Sequence, residues 1–156
     1  AAACVMAIMN IDPVEPVLRG VAQRLAPGGT LVLVLLHPAF RAPRQTRWGA
    51  DEETRPPKRY RRVDGYLSAG QFEIIMNPGA VARGEEKQST WTFHRPLQFY
   101  VQALAAAGFM IDRFEEWPSL RGRSTARKND EETRIRLEIP LFLGVRARKI
   151  DAAPVS

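Results

Sequence analysis

Two histidines are the side chains of this sequence best suited to move protons at neutral pH. His37 and His94 are the only histidines among the 156 residues. A histidine titrates near neutrality and can take a proton from a hydroxyl or an amine. Because His37 follows the apolar run Thr30–Leu36, we place it at the mouth of a buried strand. Two interpretations follow for His37: a catalytic base, or a residue that caps backbone groups at the strand end.

His94 and Arg95 begin a segment that has the pattern of a helix. Pro96 suits a first helical turn and Gly108 is a typical helix stop. Donor groups near a helix N-terminus suit an anionic substrate group, so we predict that His94 is catalytic and that Arg95 binds substrate. The alternative is a helix-start motif held by hydrogen bonds. Tyr100 lies on the apolar stripe of this helix, which favours the core, and it is a further substrate-binding candidate.

Aromatic residues that precede His94 are suited to line a pocket. Trp48, Trp91 and Phe93 can form the aromatic wall of a small-molecule site, and we take Trp91 as a substrate-binding residue. The alternative is that they are isolated surface aromatics. The two histidines and Cys4 lie far apart without metal-ligand spacing, so the sequence predicts no metal site.

A strand–helix–strand unit opens the chain and must position these residues. Ala2–Met9 has the apolar character of a buried strand. Asp12, with Glu15 three residues later, resembles a capping box, and the Pro-Gly-Gly turn at 27–29 ends the following helix. Thr30–Leu36 is apolar on both faces, which is typical of a central strand covered on both sides in a parallel α/β sheet.

The middle of the chain, Phe40 to Thr90, is rich in Arg, Pro and Gly and has weak periodicity. Within it, Gly70–Asn77 and Ser89–Phe93 predict the two strands of a hairpin around a Pro-Gly turn at 78–79. A segment of this length is usually a functional lid or is disordered. We therefore treat residues 41–90 as an insertion in the domain.

Regular patterns return after the insertion. Phe109–Glu116 predicts a strand, and Leu120–Glu132 predicts a charged loop. Ile135–Lys149 predicts a final strand, in which Pro140 indicates an irregularity or an edge position.

Composition narrows the class of protein. The net charge is +6, and the segment Arg41–Arg62 holds eight Arg or Lys residues against three acidic ones. No nucleic-acid-binding signature accompanies them, so we predict a solvated arginine-rich loop and no nucleic-acid partner. A single cysteine, the lack of a signal peptide and the lack of an apolar run of membrane-spanning length predict a cytoplasmic protein without membrane contact.

The order of these parts resembles the C-terminal half of the class I (Rossmann-like) S-adenosylmethionine-dependent methyltransferases. The resemblance rests on MAIMNIDPVEPVLRGVAQRLAPGGTLVLVLLHPAF, HRPLQFYVQALAAAGF and IPLFLGVRARK, and it covers most of the chain outside residues 41–88. In that family L-x-P-G-G introduces the fifth strand, and a subgroup has His-Pro after that strand and a hairpin insertion. The resemblance implies an α/β fold, with a partial Rossmann-like methyltransferase sheet (strands four to seven) and a β-hairpin insertion.

The resemblance also implies a cofactor and a site. S-adenosylmethionine would be the methyl donor and a small molecule the acceptor. Val5, Met6 and Ala7 would line the amino-acid and sulfonium end of the cofactor, largely through backbone and apolar contacts. Plain core packing is the alternative for Met6. Methyl transfer is a direct displacement, so the protein mainly aligns donor and acceptor.

Departures from the family pattern predict a truncated domain. The glycine-rich loop after the family's first strand and the acidic residue that holds the cofactor ribose are absent from this sequence. We therefore expect residues 1–156 to form one partial domain that binds S-adenosylmethionine poorly by itself. Its first strand would have an open edge, completed by a missing N-terminal half or by a second copy.

Two other classes of function stay open. One is a non-catalytic Rossmann-like partner or scaffold subunit, which the absent glycine loop supports. The other is an RNA-associated protein, against which the lack of an Asn-Pro-Pro-Tyr type of motif at Val5–Ile11 argues.

In the family order, the final strand would lie between Thr30–Leu36 and Phe109–Glu116 and run antiparallel to both.

Overall fold

The computed structural model describes residues 1–119 and 131–150. In this part of the chain the strands are β1 Ala2–Val5, β2 Thr30–Leu36, β3 Thr46–Asp51, β4 Lys58–Val63, β5 Gly70–Ile75, β6 Ser89–His94, β7 Phe109–Trp117 and β8 Phe142–Lys149. The helices are α1 Glu15–Arg24, α2 Pro78–Val81, α3 Leu97–Ala106 and α4 Glu131–Glu138, with a 3₁₀ turn at Ile8–Asn10. Within these residues, no helix has the length and apolar content needed to cross a membrane.

Four strands form the central mixed sheet in the order β1-β2-β8-β7. β1 pairs parallel with β2, and β8 lies antiparallel between β2 and β7. β1, β2 and β7 therefore run in one direction. The predicted order and directions are confirmed, as is the partial Rossmann-like sheet with a hairpin insertion.

The first strand is shorter than predicted. We predicted a strand over Ala2–Met9, but β1 ends at Val5. Met6 adopts a left-handed backbone with φ of 54°, which a strand does not accommodate. The chain then makes the 3₁₀ turn that buries Ile8 completely.

The capping box predicted at Asp12 and Glu15 is wrong. The residue that precedes α1 as its N-cap is Val14, and no side chain caps the helix. The Asp12 carboxylate instead accepts a hydrogen bond from Arg95 Nη2 at 2.6 Å. Glu15 lies in the first turn of α1, where a negative charge interacts favourably with the helix dipole.

The core lies on one face of the sheet. Leu31, Leu33 and Leu35 of β2 are each 1% exposed. They pack in one cluster with side chains of α1, α3, β7 and β8, which include Leu18, Ala22, Leu104, Phe109, Leu143, Val145 and Ala147. Within α1, Leu18 is 1% exposed in this cluster, whereas Val17 is 37% exposed.

The opposite face of the sheet is only partly covered. We expected β2 to be covered on both faces, but Val32 and Val34 are half-buried in the described part of the chain. The physical reason is that α1 and α3 both pack on the face that carries Leu33. On the uncovered face, Asp112 accepts hydrogen bonds from the side chains of two arginines, Arg146 and Arg148, and they lower the pKa of its carboxyl to about 2.

Two hairpins make up the insertion. The predicted one is confirmed: β5 pairs antiparallel with β6, and α2 lies between them. The second, β3 with β4, was not predicted, because residues 46–63 lack apolar alternation. After the insertion, α4 packs against β4.

The predicted loop at Leu120–Glu132 falls mostly outside the described residues, but its last two residues belong to α4. The predicted final strand starts later than expected, because 135–138 also belong to α4 and β8 begins at Phe142. Pro140 lies between the helix and the strand, where the missing N–H breaks no ladder.

The open edge of β1 predicts self-association. Met6 N–H donates to Val34 O at 2.7 Å, so by alternation the N–H groups of Ala3 and Val5 face away from β2. Such unpaired groups are a template for another strand. We expect the wild-type chain to form oligomers whose size grows with concentration, and Ala3→Pro to reduce them without removing a β1–β2 hydrogen bond. Light scattering checks this.

Ala3→Thr is the matched control, because it keeps the outward N–H and should associate like the wild type. A wild-type chain that stays monomeric at all concentrations would contradict the prediction.

Candidate active site

The predicted site residues lie at one edge of the central sheet. The carboxyl ends of β1, β2 and β7 meet there, which is where open α/β sheets bind ligands. Met6 follows β1, His37 follows β2, and Trp117 ends β7. The insertion leaves the sheet at this edge and returns through β6. The strand ends and the two hairpins therefore lie at the same edge of the sheet.

His37 is held from both ring nitrogens. Its side chain is 6% exposed, and Nε2 donates to Glu116 Oε1 at 2.8 Å. Nδ1 accepts a longer bond, 3.3 Å, from the N–H of Ala39. No local pattern predicted this carboxylate, which lies 79 residues further along the chain in β7. The pair fixes the ring and places the proton on Nε2, so that the single lone pair of Nδ1 accepts only the long bond from Ala39 N–H.

His94 is a buried residue that joins the insertion to α3. It is 4% exposed, and Nε2 donates to the carbonyl of Tyr66 at 2.8 Å. The Tyr66 hydroxyl accepts from the N–H of Leu97 at 2.9 Å and so satisfies one free donor at the helix start. Sequence reasoning missed Tyr66, because nothing local distinguishes it from other loop tyrosines.

Arg95 is 7% exposed and links α3 to the segment after β1. Nη2 donates to the carbonyl of Ile11 at 2.9 Å and to Asp12 Oδ1 at 2.6 Å. The guanidinium also lies 5.1 Å from the ring centroids of Phe93 and Phe99. Nη1 is buried without a partner. A buried donor in this state costs about 1–3 kcal/mol, so the other contacts must offset it.

The structure brings four predicted site residues to one small inner cavity of about 30 Å³. They are His37, His94, Arg95 and Tyr100, and other lining residues include Met9, Arg41 and Thr92. This volume is close to that of one water molecule. Tyr100 is 3% exposed, and desolvation raises the pKa of its phenol. At about 30 Å³, the inner cavity is too small to hold an acceptor molecule.

A larger outer cavity of about 910 Å³ lies beside it at the same edge. Its lining comprises Arg41, Trp48, Trp117, Pro118, Ser119, Arg136, Leu141 and Phe142. Trp48 was expected in a pocket wall, whereas Trp117 and Phe142 were not identified from the sequence. Trp91 is 50% exposed on β6 and is absent from the described lining of both cavities. Arg41 lines both cavities and so marks their common wall.

The outer cavity keeps its shape through a glycine. A Cβ atom on Gly144 of β8 would lie 2.8 Å from Cη2 of Trp117. The missing side chain therefore lets the indole lie over the backbone of the neighbouring strand. Phe142 pairs with Trp117 in the β7–β8 register, so both aromatic residues lie at the same end of the sheet.

The segment Val5–Ala7 presents backbone at the site edge. Val5 is 60% exposed, and Ala7 is exposed as well. Met6 between them is half-buried and left-handed, a conformation that costs a non-glycine residue about 1–3 kcal/mol and clusters at ligand sites. This geometry suits contacts through backbone groups. Among residues 1–119 and 131–150, no group of three His, Cys, Asp or Glu side chains is placed to hold a metal ion.

Comparisons with solved structures identify the fold. A methyltransferase from Mesorhizobium loti that depends on S-adenosylmethionine is 30% identical with a TM-score of 0.68, and the match covers 94% of this chain and 60% of that one. A Listeria monocytogenes protein assigned to the same class is 21% identical with a TM-score of 0.66, over 96% and 60%. A methyltransferase from Methanosarcina mazei is 16% identical with a TM-score of 0.55, over 96% and 58%.

The chain has part of a class I methyltransferase-like fold, and it spans 60% of the length of the first two of these structures. No protein-family model matches the sequence, and neither does any curated protein.

The contact between Gly144 and Trp117 predicts the effect of one added methyl group. We expect Gly144→Ala to displace the indole and to lower the free energy of unfolding by about 1–3 kcal/mol, as overpacking does. Urea unfolding measures the stability, and the indole N–H resonance of Trp117 reports the displacement. Gly20→Ala is the control: no heavy atom lies within 4 Å of the added Cβ, so it should stabilise α1 by about 0.5–1 kcal/mol. An unchanged Trp117 resonance in Gly144→Ala would contradict the proposed contact.

Proposed function

We propose that this chain is the acceptor-side part of an S-adenosylmethionine-dependent methyltransferase that acts on a small molecule. The observation that carries the proposal is the outer cavity of about 910 Å³ at the carboxyl edge of a methyltransferase-like sheet. A volume of this size fits a small-molecule ligand. The Val5–Ala7 turn and His37 lie at the same edge, so donor and acceptor would meet there.

The cofactor residues in this chain are Val5, Met6 and Ala7. Their exposed backbone and the left-handed turn at Met6 fit the amino-acid end of the cofactor. When bound, S-adenosylmethionine supplies an electrophilic methyl group on a sulfonium. The sequence lacks the glycine-rich loop and the acidic residue that hold the rest of the cofactor in the family, so we propose that a segment outside these 156 residues supplies them.

His37 is the proposed base. Glu116 orients the ring and stabilises it once it carries a second proton, as carboxylates do beside catalytic histidines. Nδ1 is the atom that would accept the proton from the acceptor, since its contact with Ala39 N–H is long, 3.3 Å. His94 lines the same inner cavity and is the second candidate, with its Nε2 proton held by Tyr66. If His37 acts only through packing, the strand-end interpretation applies; for His94 the alternative is the helix-start motif held by hydrogen bonds.

We propose substrate contacts at both the inner cavity and the outer cavity. Arg95 and Tyr100 lie at the inner cavity, where they would shape the floor of the site rather than enclose the acceptor. Trp48 and Trp117 form aromatic walls of the outer cavity. Trp91 stays a proposed substrate residue that would act from the rim. A cytoplasmic location and the absence of a nucleic-acid partner remain predictions from composition.

One observation favours the second candidate, a non-catalytic partner or scaffold. β1 has an open edge and Val5 is 60% exposed, so the described surface presents backbone and apolar groups to another chain. The same surface would also receive the missing N-terminal half or a second copy. Methyl transfer by the complete protein separates the catalytic proposal from the scaffold one.

Mutant kinetics in the complete protein test the assigned roles. We expect His37→Gln to lower kcat by about 10²–10⁴-fold, the range for loss of a general base, with a nearly unchanged Tm. Glu116→Gln should lower kcat by about 10–100-fold, because the ring loses its charged partner. Trp91→Ala and His94→Ala should raise KM for the acceptor more than KM for S-adenosylmethionine.

Three results would count against these roles. Equal changes in both KM values for Trp91→Ala or His94→Ala would indicate a structural role. A full kcat in His37→Gln would exclude the histidine base. A complete protein that neither binds S-adenosylmethionine nor transfers methyl groups would favour the scaffold function.

A further inference from the structure

We propose that Arg41 binds the carboxylate of a planar aromatic acid whose ring lies between the aromatic walls of the outer cavity. The inference rests on the proposed function only in treating that acid as the methyl acceptor. Binding of the acid is inferred from the lining of the outer cavity, from the buried Nε of Arg41 that lacks a partner, and from the lack of acidic residues in the described lining.

Arg41 is a half-buried cation with few partners. Its Nε is buried and has no hydrogen-bond partner. The contact that the structure gives its guanidinium is with the Trp48 ring, at 5.6 Å from the centroid. Burial lowers the pKa of this guanidinium, which shows that the site is partly shielded from water. A charge in such a place is stabilised by an anion that supplies hydrogen-bond acceptors.

Arg61 provides the contrast on the same indole. Its guanidinium lies 5.2 Å from the Trp48 centroid, but Nε donates to the carbonyl of Phe40 at 2.9 Å and Nη2 donates to Thr46 Oγ1 at 2.5 Å. Protein acceptors therefore position Arg61, whereas in the described part of the chain Nε of Arg41 has no acceptor. Among the described residues, neither arginine forms an ion pair with a carboxylate. The wall of the cavity therefore carries a positive charge that the described protein does not neutralise.

The chemistry of the walls defines the ligand class. Trp48, Trp117 and Phe142 provide flat apolar surfaces that pack well against an aromatic ring. A guanidinium forms two parallel hydrogen bonds with a carboxylate, a geometry that a neutral amide does not reproduce. The described lining contains no acidic residue that would repel an anion. A hydroxylated benzoic acid satisfies all three conditions and carries an oxygen that can accept a methyl group.

Binding of a matched acid and amide by the complete, cofactor-free protein tests the proposal. The probes are 3,4-dihydroxybenzoate and 3,4-dihydroxybenzamide, which share ring and hydroxyl groups and differ in charge. Calorimetry should show that the acid binds about tenfold more tightly than the amide, with the ratio falling as salt screens the charge. Arg41→Gln should bring the ratio close to one. Trp117→Ala should weaken both probes and keep the ratio.

Arg47→Gln is the matched control, because Arg47 lies in β3 next to Trp48, is exposed and is absent from the described lining of the cavity. It should keep the tenfold ratio. Equal binding of acid and amide by the wild type, or a ratio that survives Arg41→Gln, would overturn the assignment of Arg41. Failure of both probes to bind would overturn the aromatic-acid class. Because cofactor is absent from these measurements, each outcome is independent of whether the complete protein transfers methyl groups.

Discussion

The buried guanidinium of Arg95 joins three parts of the chain that are far apart in sequence. It donates to the backbone of Ile11 and to Asp12 after β1, and it packs between Phe93 of β6 and Phe99 of α3. The end of β1, the last strand of the insertion and the start of α3 are thereby fixed to one another. Arg95 is buried, whereas the Asp12 side chain is 55% exposed, so solvent partly screens this ion pair and the packing of the guanidinium carries much of its effect. Arg95 and Phe93 line the inner cavity, so its shape depends on this junction.

A second constraint is that α1 and α3 cover the same face of the sheet. Leu33 is consequently sealed, while its neighbours Val32 and Val34 are half-buried. β2 is an apolar strand with one incompletely covered face. It lies next to β1, an edge strand that has one partner in the described part of the chain. This arrangement is typical of the interior of a larger sheet. This agrees with a match that spans 60% of the Mesorhizobium loti structure. The sheet and the comparison therefore describe the same partial fold.

Sequence patterns predicted the elements that are determined by interactions between residues close in sequence. The six-residue apolar run of β2 and the helix start before Leu97 were found because their signals lie within a few residues. The pairing of His37 with Glu116 was not found, since it joins two strand ends through a third strand between them. Hairpin β3–β4 was not predicted either, because it is held by cross-strand contacts such as Arg61 over Trp48 rather than by an apolar face. Asp12 was taken for a helix cap because its actual partner is 83 residues away.

The insertion leaves the sheet after His37 and returns at His94, and both side chains line the same inner cavity. Its two ends are therefore close in space: Glu116 of β7 holds His37, and Arg95, directly after β6, donates to Ile11 O and Asp12. Closing a loop between fixed ends costs free energy that rises only with the logarithm of its length, about 0.6 kcal/mol for each doubling. Lengthening, shortening or exchanging the hairpins would thus leave the sheet nearly unaffected while it rebuilt the outer wall. The sheet and its helices therefore form the frame, and the insertion is the segment to exchange when the proposed ligand site is tested by grafting.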